Sequence, residues 1–112
     1  MKMIVAFIQT HRLDRITRKL MHVKGFLGMT VVEGRGFGRE KLEDVLSTQE
    51  ELPDFTPKVR IEIVVPVGLV ESVIEVLVEG AHTGERGDGM IVVLPVEQAV
   101  RIKTKERGVA AV

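Results

Sequence analysis

From Lys58 to Val65 the chain alternates: Val59, Ile61, Ile63 and Val65 interleave with Lys58, Arg60, Glu62 and Val64. A period of two over this length predicts a strand with one buried and one open face, and Pro66 ends it. Such a strand belongs to a sheet covered on one side, and the flanking patterns supply the cover. Leu13, Ile16, Leu20 and Val23 recur at helical spacing with Asp14, Arg15, Arg18 and Lys19 outward. Leu69, Val70, Val73, Ile74 and Leu77 repeat the pattern with Glu71, Glu75 and Glu79 outside. Gly25 and Gly28 break the first helix, and Gly80 falls where a C-cap of the second is expected. The apolar run Met3 to Ile8 predicts a central strand. Met29 to Glu33, extended toward Phe37, predicts another, and Met90 to Leu94 a fourth. Val96 to Ile102 reads as a short turn plus strand, with Lys103 to Val112 as a surface tail.

Strand, helix, strand, long loop, strand, helix, strand is the split βαβ order of an α+β, ferredoxin-like sandwich. Its 112 residues suit a single domain, 1–112. Two helices cover one sheet face only. The other face, expected to carry positions such as Ile4, Ala6, Glu62 and Val64, needs cover of its own, and trimerisation through the sheets is the expected source. Association also suits a chain whose small size limits the surface it buries alone.

The connector from Arg39 to Pro57 is polar, acidic and far longer than the roughly four to six residues usual in compact domains. It reads as a functional loop without a strand, in which Leu42, Val45 and Leu46 form at most a helical turn lacking a core partner. Sixteen basic and sixteen acidic side chains cancel, which argues against a dedicated nucleic-acid binder. The absence of cysteine excludes disulfides and thiolate metal sites. The apolar start stops too early, at Gln9-Thr10-His11-Arg12, for a signal peptide, and no stretch approaches membrane-spanning length. A cytoplasmic protein is the expectation.

Thr83-Gly84-Glu85-Arg86-Gly87-Asp88-Gly89 has the glycine density that lets backbone N–H groups converge on an anion, though it matches neither the Walker nor the dinucleotide pattern. Taken alone it reads first as an ordinary glycine-rich turn. Gly34-Arg35-Gly36-Phe37-Gly38-Arg39 adds an arginine suited to bidentate phosphate contact. Arg101 and Lys103, two apart, share one face of an extended segment.

Taken in order, Gly28-Met29-Thr30-Val31, Gly36-Phe37-Gly38-Arg39, Asp54-Phe55, Pro57-Lys58-Val59, Ile61 to Pro66, Thr83-Gly84, Gly87-Asp88-Gly89 and Arg101-Ile102 resemble the PII signal-transduction family over essentially the whole chain. The resemblance implies a compact homotrimer in which ATP and ADP compete for clefts between subunits. It implies a phosphate-binding loop at about 82–90, in which Gly87, Asp88 and Gly89 cradle phosphates beside Thr83 and Met90. Gly36, Phe37, Gly38 and Arg39 would stand at the base of a mobile T-loop of about 38–55. Arg101 and Lys103, in the C-terminal segment 96–112, would supply further charge. Thr30, Glu62 and Val64 would line the base and sugar, and Lys58 would hold a 2-oxoglutarate carboxylate. Partner contact would fall to Leu42, Val45, Leu46 and Leu52. The implied role is a non-catalytic regulator of an enzyme, transporter or transcription factor in nitrogen or energy-status control.

Three departures from the family pattern matter. The chain has no tyrosine, so T-loop uridylylation is expected to be absent; Glu50 and Glu51 lie near that position, and Ser47 and Thr48 are the hydroxyls left in the loop. Glu40 stands where the family usually carries a Mg²⁺-ligating glutamine. It suits Mg²⁺ but repels dianionic 2-oxoglutarate, by up to about 4 kcal/mol for unit charges at close range, so a weak or absent response is expected. Met90 replaces a phosphate-contacting lysine, a loss of about 1.5–3 kcal/mol that Arg86 offsets in part. ADP or AMP is then expected to compete well with ATP.

Other readings fit less well. An acylphosphatase-type enzyme resembles this chain in size but uses an Asn, and the chain has none. An RNA-binding sheet needs aromatic platforms, and only four Phe are present. A trimeric metal-binding protein of the same fold would rely on His11, His22 and His82, which lack helical i, i+4 pairing.

Overall fold

The computed structural model describes residues 1–49 and 52–112; Glu50 and Glu51, singled out above for their place in the loop, lie outside the described residues. The elements are β1 (Lys2–Gln9), α1 (Leu13–Leu20), β2 (Thr30–Gly36), α2 (Arg39–Thr48), β3 (Thr56–Val65), α3 (Val70–Ala81) and β4 (Met90–Pro95). The four strands form one sheet in the order β2-β3-β1-β4, antiparallel at every junction. Helices α1 and α3 cover one face. This is the ferredoxin-like sandwich expected from the order of strands and helices.

Register decides which face each strand residue joins. Ile4, Ala6 and Ile8 oppose Ile63, Ile61 and Val59 across β1 and β3. Together with Val65 and with Ile16, Leu20, Val73, Leu77 and Ala81 from the helices they make the core. Burial of these twelve side chains is the main favourable term for the fold. Ile4 and Ala6 therefore point at the helices and not, as expected from sequence, at the uncovered face. In a strand apolar at every position parity is invisible, and only the partner strand reveals it. The uncovered face instead carries Met3, Phe7, Val32, Val64 and Leu94, alternating with the core positions. Phe7, Val32, Val64 and Leu94 are all exposed there, and Arg60 lies over the Phe7 ring at 5.6 Å.

Gly80 is not a C-cap. Helix α3 runs through it to Ala81, and its missing side chain makes room for α1: a Cβ would meet Ile16 Cγ1 at 2.6 Å. The same closeness lets Arg12 Nε donate to the Gly80 carbonyl at 2.9 Å. The expectation of a mere turn in the long connector is also overturned, since α2 spans ten residues there. Val45 on α2 is buried, so it anchors the helix and is withdrawn from the set offered to a partner; Leu42, Leu46 and Leu52 are exposed. Val96 to Ile102 forms no strand. A single bridge, Val100 to Arg107, closes a tight turn through Lys105 at φ 63°, and the tail returns to bury Ala111.

Candidate functional site

One end of the sheet gathers most of the predicted site. Gln9, Lys58 and Gly34 are cross-strand neighbours at that end, and the connection between α3 and β4 lies across them. Lys58 Nζ donates to the Gly87 carbonyl at 2.6 Å, and Gln9 Nε2 to the Arg86 carbonyl at 3.3 Å. The loop is thus held by side chains from β1 and β3. Lys58 projects from the uncovered face because its neighbour Val59 points into the core.

Inside the loop Asp88 does the organising. Its Oδ2 accepts from the Thr83 and Gly84 backbone N–H groups at 2.8 and 2.9 Å, and its Oδ1 accepts from the Thr83 hydroxyl. His82 Nδ1 stands 3.7 Å away. These donors, the Thr83 hydroxyl first, hold the Asp88 carboxyl down at about 2. Asp88 therefore shapes the loop from within, while the glycines leave its backbone bare. Gly84, Gly87 and Gly89 all have positive φ. At Gly89 the constraint is doubled, since a Cβ would lie 1.7 Å from the Phe7 carbonyl oxygen of β1. A loop of left-handed glycines with an adjacent lysine is suited to a phosphate group.

The base of the long connector lies at the same end. Gly36 opposes Thr56 in the last register pair of β2 and β3, and the Thr56 hydroxyl donates to the Gly36 carbonyl at 3.1 Å. Just beyond, Phe37 and Phe55 meet edge to face at 5.3 Å between centroids. Gly38 precedes α2 and Arg39 opens it, exposed. From α2, Glu40 and Asp44 reach the loop: Arg86 Nε lies 2.8 Å from Glu40 Oε2 and Arg86 Nη2 donates to Asp44 Oδ2 at 2.6 Å. The Asp44 hydrogen bond, with Glu40 beside it, raises the arginine above its ordinary value.

The remaining predicted residues stand apart. Thr30 opposes Glu62 on the uncovered face, about 13 Å along the strand from Lys58, with Val64 about 20 Å away. Glu62 lies 3.6 Å from Arg60. Met90 begins β4, exposed beside Phe7. Arg101 Nε donates to the Ala111 carbonyl at 2.9 Å, and Lys103 is exposed on the C-terminal turn. Among the described residues no hydrogen bond or ion pair joins either of them to the 83–89 loop. No cluster of three His, Asp or Glu side chains suited to a metal occurs among the described residues, and no helix is long and apolar enough to cross a membrane. Reading the sequence did not single out Gln9, Phe55 or Asp44 for these roles. The polar end of an otherwise apolar β1 and the i, i+4 spacing of Glu40 and Asp44 were the available signals.

The profile of the family described as Nitrogen regulatory protein P-II matches residues 1–106. The chain is 46% identical over 109 residues to Nitrogen regulatory protein P-II of Azospirillum brasilense, covering 96% of each. It is 44% identical to the Haemophilus influenzae protein of the same name and 42% identical to Nitrogen regulatory protein P-II 1 of Escherichia coli K12, each over the full length of both chains. Its fold is similar to the crystal structure of Arabidopsis thaliana PII bound to citrate, with a TM-score of 0.80 and 41% identity over 98% of this chain and 90% of that one.

Proposed function

Since this chain belongs to the nitrogen regulatory P-II family of signal-transduction proteins, we propose that it binds adenine nucleotides in clefts between the subunits of a homotrimer and controls a partner protein through the segment 38–55. The observation that carries this reading is the loop Thr83–Gly89. Its glycines are left-handed, its shape is fixed by Asp88, and Lys58 stands at the Gly87 carbonyl. A phosphate chain would take the N–H groups of the Lys58 ammonium beyond the one on the Gly87 carbonyl, and the loop amides not held by Asp88 or Thr83.

Two features support a cleft shared by neighbouring copies. The loop end and the Thr30–Glu62–Val64 group are separated along one face, and among the described residues Arg101 and Lys103 have no ionic tie to the loop. The exposed apolar side chains of the uncovered sheet face, Phe7, Val32, Val64 and Leu94, favour cover by another copy.

The chain's own departures set its specificity in this reading. Met90 removes a cation from the loop's end, which lowers the advantage of ATP over ADP and AMP. Glu40 suits Mg²⁺ and disfavours 2-oxoglutarate. With no tyrosine in the chain, control runs without tyrosyl uridylylation, by nucleotide occupancy acting on α2. A bound nucleotide shifts that segment only as far as its affinities for the loop's alternative states differ. Leu42, Leu46 and Leu52, flanked by Glu43 and Asp44, would face the partner, which is an enzyme, a transporter or a transcription regulator.

Calorimetric titration with ATP, ADP and AMP, each with and without Mg²⁺ and 2-oxoglutarate, tests the reading. Light scattering of the same samples reports the oligomer. Binding of ATP and ADP to a trimer with little dependence on 2-oxoglutarate is expected. Arg101→Ala should weaken nucleotide binding by about 1.5–3 kcal/mol, roughly ten- to a hundredfold, with the trimer intact. A monomer, or no heat at millimolar nucleotide, would refute the proposal, and strong 2-oxoglutarate-dependent ATP binding would refute the role given to Glu40.

A further inference from the structure

Arg86 ties the loop between α3 and β4 to the helix in the long connector. Its Nε lies 2.8 Å from Glu40 Oε2 and its Nη2 lies 2.6 Å from Asp44 Oδ2. These two acceptors are one helical turn apart on α2, so they stack on one face and would repel each other without a cation between them. One planar guanidinium satisfies both. The backbone beneath it does not depend on this contact, because Gln9 and Lys58 hold the Arg86 and Gly87 carbonyls from the sheet side. The side chain can therefore change partners while the loop keeps its shape. All three side chains are more than half exposed, at 56%, 60% and 62%, so the contact is screened, shallow and readily exchanged.

We propose that Arg86 is an anion-released latch. In the unliganded chain it clasps α2 to the 83–89 loop. A polyphosphate seated on that loop takes the guanidinium from Glu40 and Asp44 and sets α2, with Leu42 and Leu46, free to move. The proposal rests on the reading of this loop as a phosphate site. A phosphate chain offers the same fork several charged oxygens, on the loop that already carries the arginine, and Met90 leaves the loop's end without a cation of its own. Once Arg86 turns away, Glu40 and Asp44 repel each other and the incoming anion, so filling the site and displacing α2 are one event. The coupling is reciprocal: clasping α2 costs anion affinity to the same extent that the anion loosens α2.

Amide hydrogen exchange of residues 40–48, in the full chain with calorimetry on the same samples, tests the latch. Wild type and Arg86→Gln are compared without ligand, with ATP and with inorganic triphosphate. Unliganded Arg86→Gln should exchange α2 amides several-fold faster than wild type. Either anion should bring wild type to that rate and leave Arg86→Gln unmoved. Asp44→Asn should also exchange faster, yet bind ATP several-fold more tightly than wild type because a competitor for Arg86 is gone; a purely structural clasp would not tighten binding. Equal α2 exchange in unliganded wild type and Arg86→Gln would overturn the latch. So would ATP that binds by calorimetry yet leaves α2 of wild type protected. If neither anion gives heat with wild type, the nucleotide reading fails and release fails with it, while fast exchange in Arg86→Gln would still establish the clasp itself.

Discussion

Two connectors leave the same end of the sheet and are held in opposite ways. The loop from Thr83 to Gly89 is fixed from within, by an aspartate accepting from residues four and five positions away, and from below by Gln9 and Lys58. The segment after Gly38 folds into α2, which sits outside the core cluster, buries Val45 alone among its residues, and reaches the rest of the chain through exposed ion pairs to Arg86. Short-range hydrogen bonds to a carboxylate are stronger than screened surface pairs. The first connector is thus built to keep one shape and the second as an element whose position can be altered at little cost.

The sharpest way to break this contrast is at Gly89. Its φ of +107° and the 1.7 Å approach of a Cβ to the Phe7 carbonyl leave no room for a side chain. Gly89→Ala should lose upward of about 3 kcal/mol of stability in chemical denaturation, and unchanged stability would show that the loop is not held as described. Next is Asp88→Asn, which removes the charge accepting the loop's donors and should cost about 1–2 kcal/mol. The folded carboxyl titrates at about 2, below its ordinary 3.8. Its stabilisation is therefore complete above 3.8 and is lost as pH falls toward about 2. The gap between wild type and Asp88→Asn in denaturant midpoint should close across that window, and a gap that persists at the acid end would deny Asp88 this role. The smallest effect belongs to α2. Val45→Ala should change global stability by no more than about 1 kcal/mol, with the faster amide exchange confined to α2. Leu46→Gln, on an exposed position, should stay within about 0.5 kcal/mol. A global loss at Val45 as large as that at Asp88 would mean that α2 belongs to the core.

The sheet was legible because β3 alternates: Val59 to Val65 announce one dry face, and the buried positions are the ones the pattern names. The family was legible in the ordered glycine and charged motifs. What could not be read was parity and distance. Met3 to Ile8 is apolar at each step, so the side taken by Ile4 and Ala6 depends on pairing with Ile63 and Ile61. Gly80 looked like a stop because its real reason, Ile16, lies far away in the chain. Helix α2 was underestimated for a related cause. Its support comes from Arg86, and Glu40 and Asp44 show their spacing in sequence without showing the arginine that answers it. Within the candidate site, Gly36, Lys58 and the 83–89 loop lie at one end of the sheet, whereas Arg101 and Lys103 belong to a tail whose turn depends on Lys105 in a left-handed conformation.

The aromatic pair of Phe37 and Phe55, with the Thr56 hydroxyl on the Gly36 carbonyl, closes the neck of the connector before α2 begins. Once the two ends are pinned there, contour length between them is nearly free, since doubling a loop adds only about 0.6 kcal/mol of closure entropy. Such a neck lets a lineage lengthen, shorten or rewrite the excursion while the end of the sheet beneath it stays untouched, and it marks this span as the place to graft a reporter peptide without refolding the scaffold.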